Sequence, residues 1–390
     1  MSSLANSKIP MRTLLAGARR KQPSLIALTR QLVSSESPSD SKPTVDACLA
    51  LAATHARALG ARIKIHRNSS FGNALEARFG PRSSREKPIL LLGHLDTVWP
   101  LGTLQTMPCR ISPGAASNVR LLGPGVLDMK AGVAMAFTAL ELLGETGSLK
   151  REIILLLTGD EEIGSTAGRP IVETLAKQCS AVYVLEPAQG LAYKTARKGI
   201  GNWRIDVAGI AAHAGVDFEK GANAIRELGR LVEKVSSWTD LKRGLSVSVG
   251  VAGGGTKSNV IPAHAWAEVD ARFVRFADGP RIERKFAALK AQDPRCTVTV
   301  TGGINRPPMV RSRGTVRLFR QAQALARDLG FALDEASTGG GSDGNFTAAL
   351  GIPTLDGMGA VGEGAHARHE SVLVEHLAPR TALLAAMLVD

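Results

Sequence analysis

Aromatic side chains are scarce in this chain: 2 Tyr, 4 Trp and 10 Phe in 390 residues, 4% of the whole. The scarcity bears on the net charge of +13, which by itself would suit nucleic acid, an anionic membrane or an anionic small molecule. Nucleic-acid faces combine clustered basic residues with stacking aromatics. Here the basic residues are spread out with few aromatics among them. A solvated surface around a positive cleft is the better reading, with no nucleic-acid partner. Cysteine is also sparse. Cys48, Cys109, Cys179 and Cys296 form no CxxC pair, so neither a disulfide framework nor a thiolate zinc site is expected. Free thiols in a reducing compartment fit this usage. No apolar run approaches the ~20 residues that span a bilayer. In the basic, polar first forty residues the longest apolar piece is Leu14-Leu15-Ala16, short of a signal-peptide core of ~7–15 residues. A cytoplasmic protein is expected. There is no internal repeat and no low-complexity tail.

What is present is ordinary globular composition, 44% hydrophobic and 21% charged, in a chain long enough for two domains. Residues from about Pro23 to Leu59 read as two helices joined by a Ser-rich turn. Strand and helix patterns then alternate to about Lys198, the signature of an α/β sheet, with a helix over Lys130–Leu143. After Lys198-Gly199 the texture changes. A strand over Asn202–Ala208, an amphipathic helix over Ala222–Trp238, strands over Leu245–Val251 and His264–Val274, a helix over Pro280–Ala291 and a strand over Cys296–Thr301 follow. The order βαββαβ is that of a ferredoxin-like unit. From Arg306-Pro307-Pro308 the α/β pattern resumes, with helices over Thr315–Leu329, after Gly339-Gly340-Gly341-Ser342-Asp343, and over Val372–Val389. The fold expected is thus α/β: residues 1–198 and 306–390 form a catalytic domain with a mostly parallel central sheet and helices on both faces, interrupted by a ferredoxin-like α+β lid over 199–305.

Polar residues punctuate the ends of the apolar runs. Ile89–Leu92 leads into Gly93-His94-Leu95-Asp96, Ile153–Leu157 into Asp160-Glu161-Glu162, and Val182–Leu185 into Glu186-Pro187. Asp128 precedes a helix-like stretch, and His366 and His369 sit in a Gly-rich loop. Open parallel sheets bind ligands beyond the carboxyl ends of their strands, so one cleft can gather all of these. Singly, each has a plain structural reading: Asp128 as a helix N-cap, Glu186 as a strand end, the histidines as surface groups. As a set, histidines and carboxylates make a hydrolytic metal site, with one carboxylate free to act as a base.

In order, Gly93-His94-Leu95-Asp96-Thr97-Val98, Gly123-Pro124-Gly125…Asp128-Met129-Lys130-Ala131-Gly132, Asp160-Glu161-Glu162-Ile163-Gly164-Ser165, Glu186-Pro187 and Gly339-Gly340-Gly341-Ser342-Asp343-Gly344-Asn345 resemble the dizinc exopeptidase family of glutamate carboxypeptidases, aminoacylase, desuccinylases and deacetylases. The folate-cleaving glutamate carboxypeptidase branch is the most similar, and the resemblance spans nearly the whole chain. It implies two zinc ions, with manganese or cobalt as substitutes. Asp128 would bridge them, His94 and Glu186 complete one site, and Glu162 and His366 the other. Glu161 would be the general base and Asp96 the partner of His94. A cis peptide is implied at Asp128–Met129. In the lid, His213 of Ala212-His213-Ala214-Gly215 would stabilise the oxyanion across a homodimer, and Asn259, Arg272, Gly340 and Gly341 would hold the substrate carboxylate. Where relatives often carry Asp or Asn, this chain has His369, a competitor of His366. The activity implied is hydrolysis of an amide bond that releases a C-terminal amino acid, glutamate foremost. The alternatives are an N-acyl-amino-acid deacylase or desuccinylase on the same site, and a non-catalytic binding protein on this scaffold.

Overall fold

The computed structural model describes residues 10–112 and 118–389. The chain divides into two compact units. One runs to Ala196 and resumes over Arg311–Thr338 and from Ser342 on; the other holds Arg197–Val310 together with Gly339–Gly341. The second is slightly wider than the sequence pattern suggests. Arg197 and Met309 exchange backbone hydrogen bonds of 2.9 and 3.1 Å, which close its neck.

The larger unit is an α/β structure around a six-stranded sheet. In spatial order the strands are Arg62–His66, Ala74–Phe79, Ile153–Thr158, Ile89–His94, Ala181–Val184 and Thr354–Leu355. The last four are mutually parallel, while Ala74–Phe79 runs against both of its neighbours. Central parallel strands are covered on both faces, so they read as unbroken apolar runs. The period of two then divides each strand between two cores. Leu91, Leu155 and Leu157 face one with the helices Met11–Ser34, Ala131–Glu145 and Val374–Val389. Leu90, Leu92, Ile154 and Leu156 face the other with Val172, Leu175 and Phe346. The helix Ala131–Glu145 is buried almost all round, as expected of one apolar on every side. Its Gly132 permits a close approach: a Cβ there would stand 2.3 Å from the Leu185 carbonyl oxygen.

The first helix starts at Met11, not near Pro23, and carries Pro23 inside it. Leu14, Ala18, Leu25, Leu28 and Leu32 keep one buried stripe through the proline. Packing along that stripe outweighs one missing backbone donor. Among the described residues no helix is long and apolar enough to cross a membrane.

The smaller unit is a four-stranded antiparallel sheet in the order Ser246–Gly254, His264–Phe273, Gly199–Ala208, Thr297–Arg306. The helices Ala224–Ser236 and Asp278–Ala287 pack on it. Trp203, Ile205 and Val207 meet Leu228, Leu231, Ile282 and Phe286 in its core, with Trp203 stacked on Phe286 at 4.2 Å. Alternation in the strands and a 3.6 period in the helices specify that one buried layer.

Candidate metal centre

His94, Glu161, Glu162 and Glu186 stand at or just past the carboxyl ends of parallel strands, while Asp128 and His366 stand in turns. His94 is the last residue of its strand and 1% exposed. Asp128 follows Gly125 in a turn where the Asp128–Met129 peptide is cis. Glu161 and Glu162 open a single helical turn just past Ile153–Thr158. Glu186 lies two residues beyond Ala181–Val184 and is 7% exposed. His366 holds a left-handed backbone, φ 61°, after Gly364. A non-glycine residue in that region carries strain and is common at functional sites.

Asp128 is flanked by two imidazoles. Its Oδ1 lies 3.3 Å from His94 Nε2, and its Oδ2 lies 3.5 Å from His366 Nε2. Glu186 Oε1 is 3.6 Å from His94 Nε2, and Glu162 Oε1 is 3.3 Å from His366 Nε2. Ligand atoms of His94, Asp128 and Glu162 all fall within 4.8 Å of one another. His369, by contrast, has no ion pair into this cluster among the described residues; it is His366 that reaches Asp128 and Glu162.

The electrostatics favour a cation. Burial opposes charge on Asp128, yet His366 and His94 hold its carboxyl well below the usual range. Burial likewise opposes charge on His94, but Asp128, Asp96 and Glu186 outweigh it and raise the imidazole. His366 is pushed up to about 10 by Asp128 and then Glu162. Burial raises Glu162. Among the described residues, His94 Nε2 and Asp128 Oδ1 are buried without a hydrogen-bond partner. Buried polar atoms are normally satisfied, and an orphaned pair facing one another marks a place for an ion. Nitrogen and carboxylate oxygen at these spacings fit zinc, manganese or cobalt.

The supporting groups are visible too. His94 Nδ1 donates to the Asp96 backbone carbonyl at 3.0 Å, with the Asp96 carboxylate 3.4 Å away. That carboxylate does more than the sequence indicates. It accepts from Ser39 Oγ at 2.7 Å and from the backbone N–H of Glu161 and Glu162 at 3.2 and 3.1 Å. Glu370, fully buried, accepts from the backbone N–H of Gly125, Leu127 and Asp128 and from the indole of Trp99. It fixes the turn that presents Asp128. Sequence reading missed this role, since one Glu in a polar loop carries no periodic signal; its nearness to His366 was the available hint.

The remaining candidates lie in the smaller unit. His213 is exposed, and its Nδ1 accepts from the Gly215 N–H at 3.2 Å, which leaves the proton on Nε2. The Asn259 carbonyl accepts from Ala214 N–H at 3.0 Å, and His213 pairs with Val260, so these two turns are held together. Arg272 is engaged by Asp270 through three contacts of 2.8 to 3.1 Å and donates to the Gly339 carbonyl at 3.3 Å. Gly340 and Gly341 stand ahead of a helix, as the sequence suggested. That helix, Gly344–Ala349, has only six residues. The carbonyls of the two glycines accept from Arg197 Nη1 at 3.1 and 3.0 Å. Arg306, 3% exposed, lies under Gly341, where a Cβ would meet its Cδ at 2.8 Å. Arg197 and Arg306 were not singled out in the sequence. In a strand pattern a buried Arg looks like an exposed one.

Comparison with known proteins agrees with this architecture. The chain is similar to carboxypeptidase G2 of Pseudomonas sp. (strain RS-16), 32% identical over 311 residues, covering 78% of this chain and 73% of that protein. It is 28% identical to succinyl-diaminopimelate desuccinylase of Delftia acidovorans over 374 residues, covering 91% and 94%. The fold is shared with aminopeptidase PepT from Bacillus cereus, with a TM-score of 0.76 at 22% identity over 94% of this chain and 98% of that one. The cluster and the fold together support a metal-dependent hydrolase. Residues 90–390 match the model of peptidase family M20/M25/M40, and the chain belongs to that family.

Proposed function

We propose that the protein is a two-metal exopeptidase that hydrolyses an amide bond and releases a C-terminal amino acid with a free carboxylate, glutamate foremost. The observation that carries the reading is the pair of imidazoles on opposite oxygens of Asp128, with His94 Nε2 and Asp128 Oδ1 buried and without a hydrogen-bond partner among the described residues. His94, Glu186 and Asp128 Oδ1 would hold one ion; His366, Glu162 and Asp128 Oδ2 the other. Ions at such a site supply Lewis acidity, which polarises a carbonyl and makes water acidic near neutral pH. Glu161, its backbone fixed by Asp96, takes the proton from the attacking water and returns it to the leaving amine. Asp96 orients the His94 ring and holds the turn that carries both glutamates. His213, with its proton on Nε2, donates to the developing oxyanion. Arg197, Arg272 and Arg306 around Gly339–Gly341, with Asn259, supply the positive field for the substrate carboxylate. Arg272 carries Asp270 as its own counter-ion, so it exchanges that partner for the substrate.

A second reading, removal of an acyl group such as succinyl from an amino acid, is favoured by the desuccinylase likeness over 91% of the chain. Both reactions use the same centre and differ in the acid that is recognised. A hydrolysis screen of the metal-loaded protein decides: peptides and folates ending in glutamate against N-acyl and N-succinyl amino acids, each free and amidated. Cleavage of acyl amino acids alone overturns the carboxypeptidase reading. Equal cleavage of free and amidated substrates removes the carboxylate pocket from both.

A further inference from the structure

Arg380, in the last helix of the larger unit, is 3% exposed and takes no part in the centre described above. Its Nε donates to the Gly359 carbonyl at 2.9 Å, its Nη1 to the Leu191 carbonyl at 3.2 Å and its Nη2 to the Gly357 carbonyl at 2.8 Å. Its guanidinium lies over the Tyr193 ring, 4.5 Å from the centroid. A guanidinium has five N–H donors, so two remain without an acceptor among the described residues. Carbonyl dipoles and a ring face lower the cost of a buried cation but do not neutralise it, and buried charges are normally paired. No carboxylate forms an ion pair with Arg380 among the described residues; Glu375, the nearest acid in sequence, is exposed and stands 3.9 Å from His376.

Beside Arg380 opens a cavity of about 340 Å³, within the range of small-molecule sites. Its apolar wall is Leu15, Leu191, Leu329, Phe331 and Pro379. The ionisable groups that share it are Arg19, Glu375, His376 and Arg380. Burial lowers His376, so at neutral pH it adds no charge. Two guanidinium groups against one carboxylate leave the cavity with one positive charge, and the uncompensated cation is the buried one. Apolar walls, a single buried donor group and net positive charge select one ligand chemistry.

We propose that this cavity is a binding site for a small monocarboxylate with an apolar body, its head paired with the two remaining N–H groups of Arg380. None of its lining residues belongs to the imidazole–carboxylate cluster.

Titration calorimetry at fixed ionic strength with hexanoate and 3-phenylpropionate, against hexanamide and hexylammonium, tests this. The carboxylates should bind at least about tenfold more tightly than the amide or the amine, a difference of ~1.4 kcal/mol. Ala332 is exposed and lines the same cavity. Ala332→Trp should therefore obstruct the mouth, weaken hexanoate about tenfold or more, and leave peptide hydrolysis unchanged. Arg380→Met should lose the preference for carboxylate over amide; if that variant does not fold, Ala332→Trp decides. No heat of binding at millimolar hexanoate overturns the proposal. So does hexanoate binding to Ala332→Trp as it does to the parent, because such binding belongs in the catalytic cleft.

Discussion

At the scale of single residues, the proposed function separates holding a metal from moving a proton. His94 is buried and central to it. Replacing it by Ala removes one nitrogen ligand, so His94→Ala should lose metal and nearly all activity, measured by metal content after dialysis alongside turnover. Glu161 is the proposed base and not one of the proposed ligands. Glu161→Gln should therefore keep the metal content and lose a factor of about 10²–10⁴ in kcat, the usual weight of a general base. A Glu161→Gln enzyme that turns over normally with full metal would move the base elsewhere, to Glu162 first. His366 offers a proton readout. Without metal it stays protonated to about pH 10 because Asp128 and Glu162 flank it. A raised imidazole contributes stability that is fully present below about pH 6.5 and is lost as pH rises through the folded value. A metal ion must displace that proton to use the nitrogen. Loading the metal-free protein at pH 7 should release protons, seen as a calorimetric heat that changes with the ionisation enthalpy of the buffer. A heat independent of buffer would mean that His366 does not bind the ion.

At the scale of elements, much was legible and the exceptions have physical causes. The run Ile89–Leu92 ending in His94 could only be a buried strand, because four consecutive large aliphatics need cover on both faces. The βαββαβ order could be read because each strand alternates and each helix has one stripe. The early start of the first helix could not: Leu14 and Ala18 belong to the stripe of Leu25 and Leu28, but Pro23 interrupts the local signal between them. In the amphipathic helix over Ala222–Trp238 the apolar spacing would put Ile225 with Leu228, Leu231 and Val235, but those three are buried and Ile225 is 46% exposed. The strand Ala74–Phe79 hid another feature. Its Glu76, 4% exposed, is bound by Arg78 and by His66, the latter at 2.7 Å, while Glu152 bridges Arg62 and Arg78. Burial pushes the Glu76 carboxyl up, but Arg78 and His66 outweigh it and the net direction is down. A depressed carboxyl stabilises the fold above its unfolded value, near pH 4.5, and the contribution fades as pH falls through the folded one. Glu76→Gln should therefore cost roughly 1.5–3 kcal/mol at pH 7, the worth of hydrogen bonds to a charged group. The gap from the parent should shrink as the medium is made more acid than pH 4.5. Urea titrations of both proteins at neutral and acid pH check it. A gap that does not change with pH would assign the loss to packing alone.

At the scale of the whole molecule, the residues proposed above to meet the oxyanion and the substrate carboxylate fall in the second unit. His213, Asn259 and Arg272 all lie in it. Among the described residues, its sheet has an unpaired edge at Ser246–Gly254, where Val251 is 50% exposed. Open edges invite pairing with another chain, and twofold pairing of one surface with itself is the commonest way to close an assembly. We propose a homodimer through this unit in which His213 of each subunit serves the other's centre. Complementation tests the idea without a structure of the assembly. Glu161→Gln and His213→Ala should each be nearly inactive alone. When the two are unfolded together and refolded as an equal mixture, about half of the dimers are mixed by chance, and each mixed dimer has one centre with both Glu161 and His213 intact. About one quarter of the parental activity should return, a statistical consequence of twofold assembly. The equal mixture should also sediment as a dimer. If the refolded mixture is no more active than its parts, His213 acts within its own subunit or not at all. If the parent sediments as a monomer, the open edge is closed some other way.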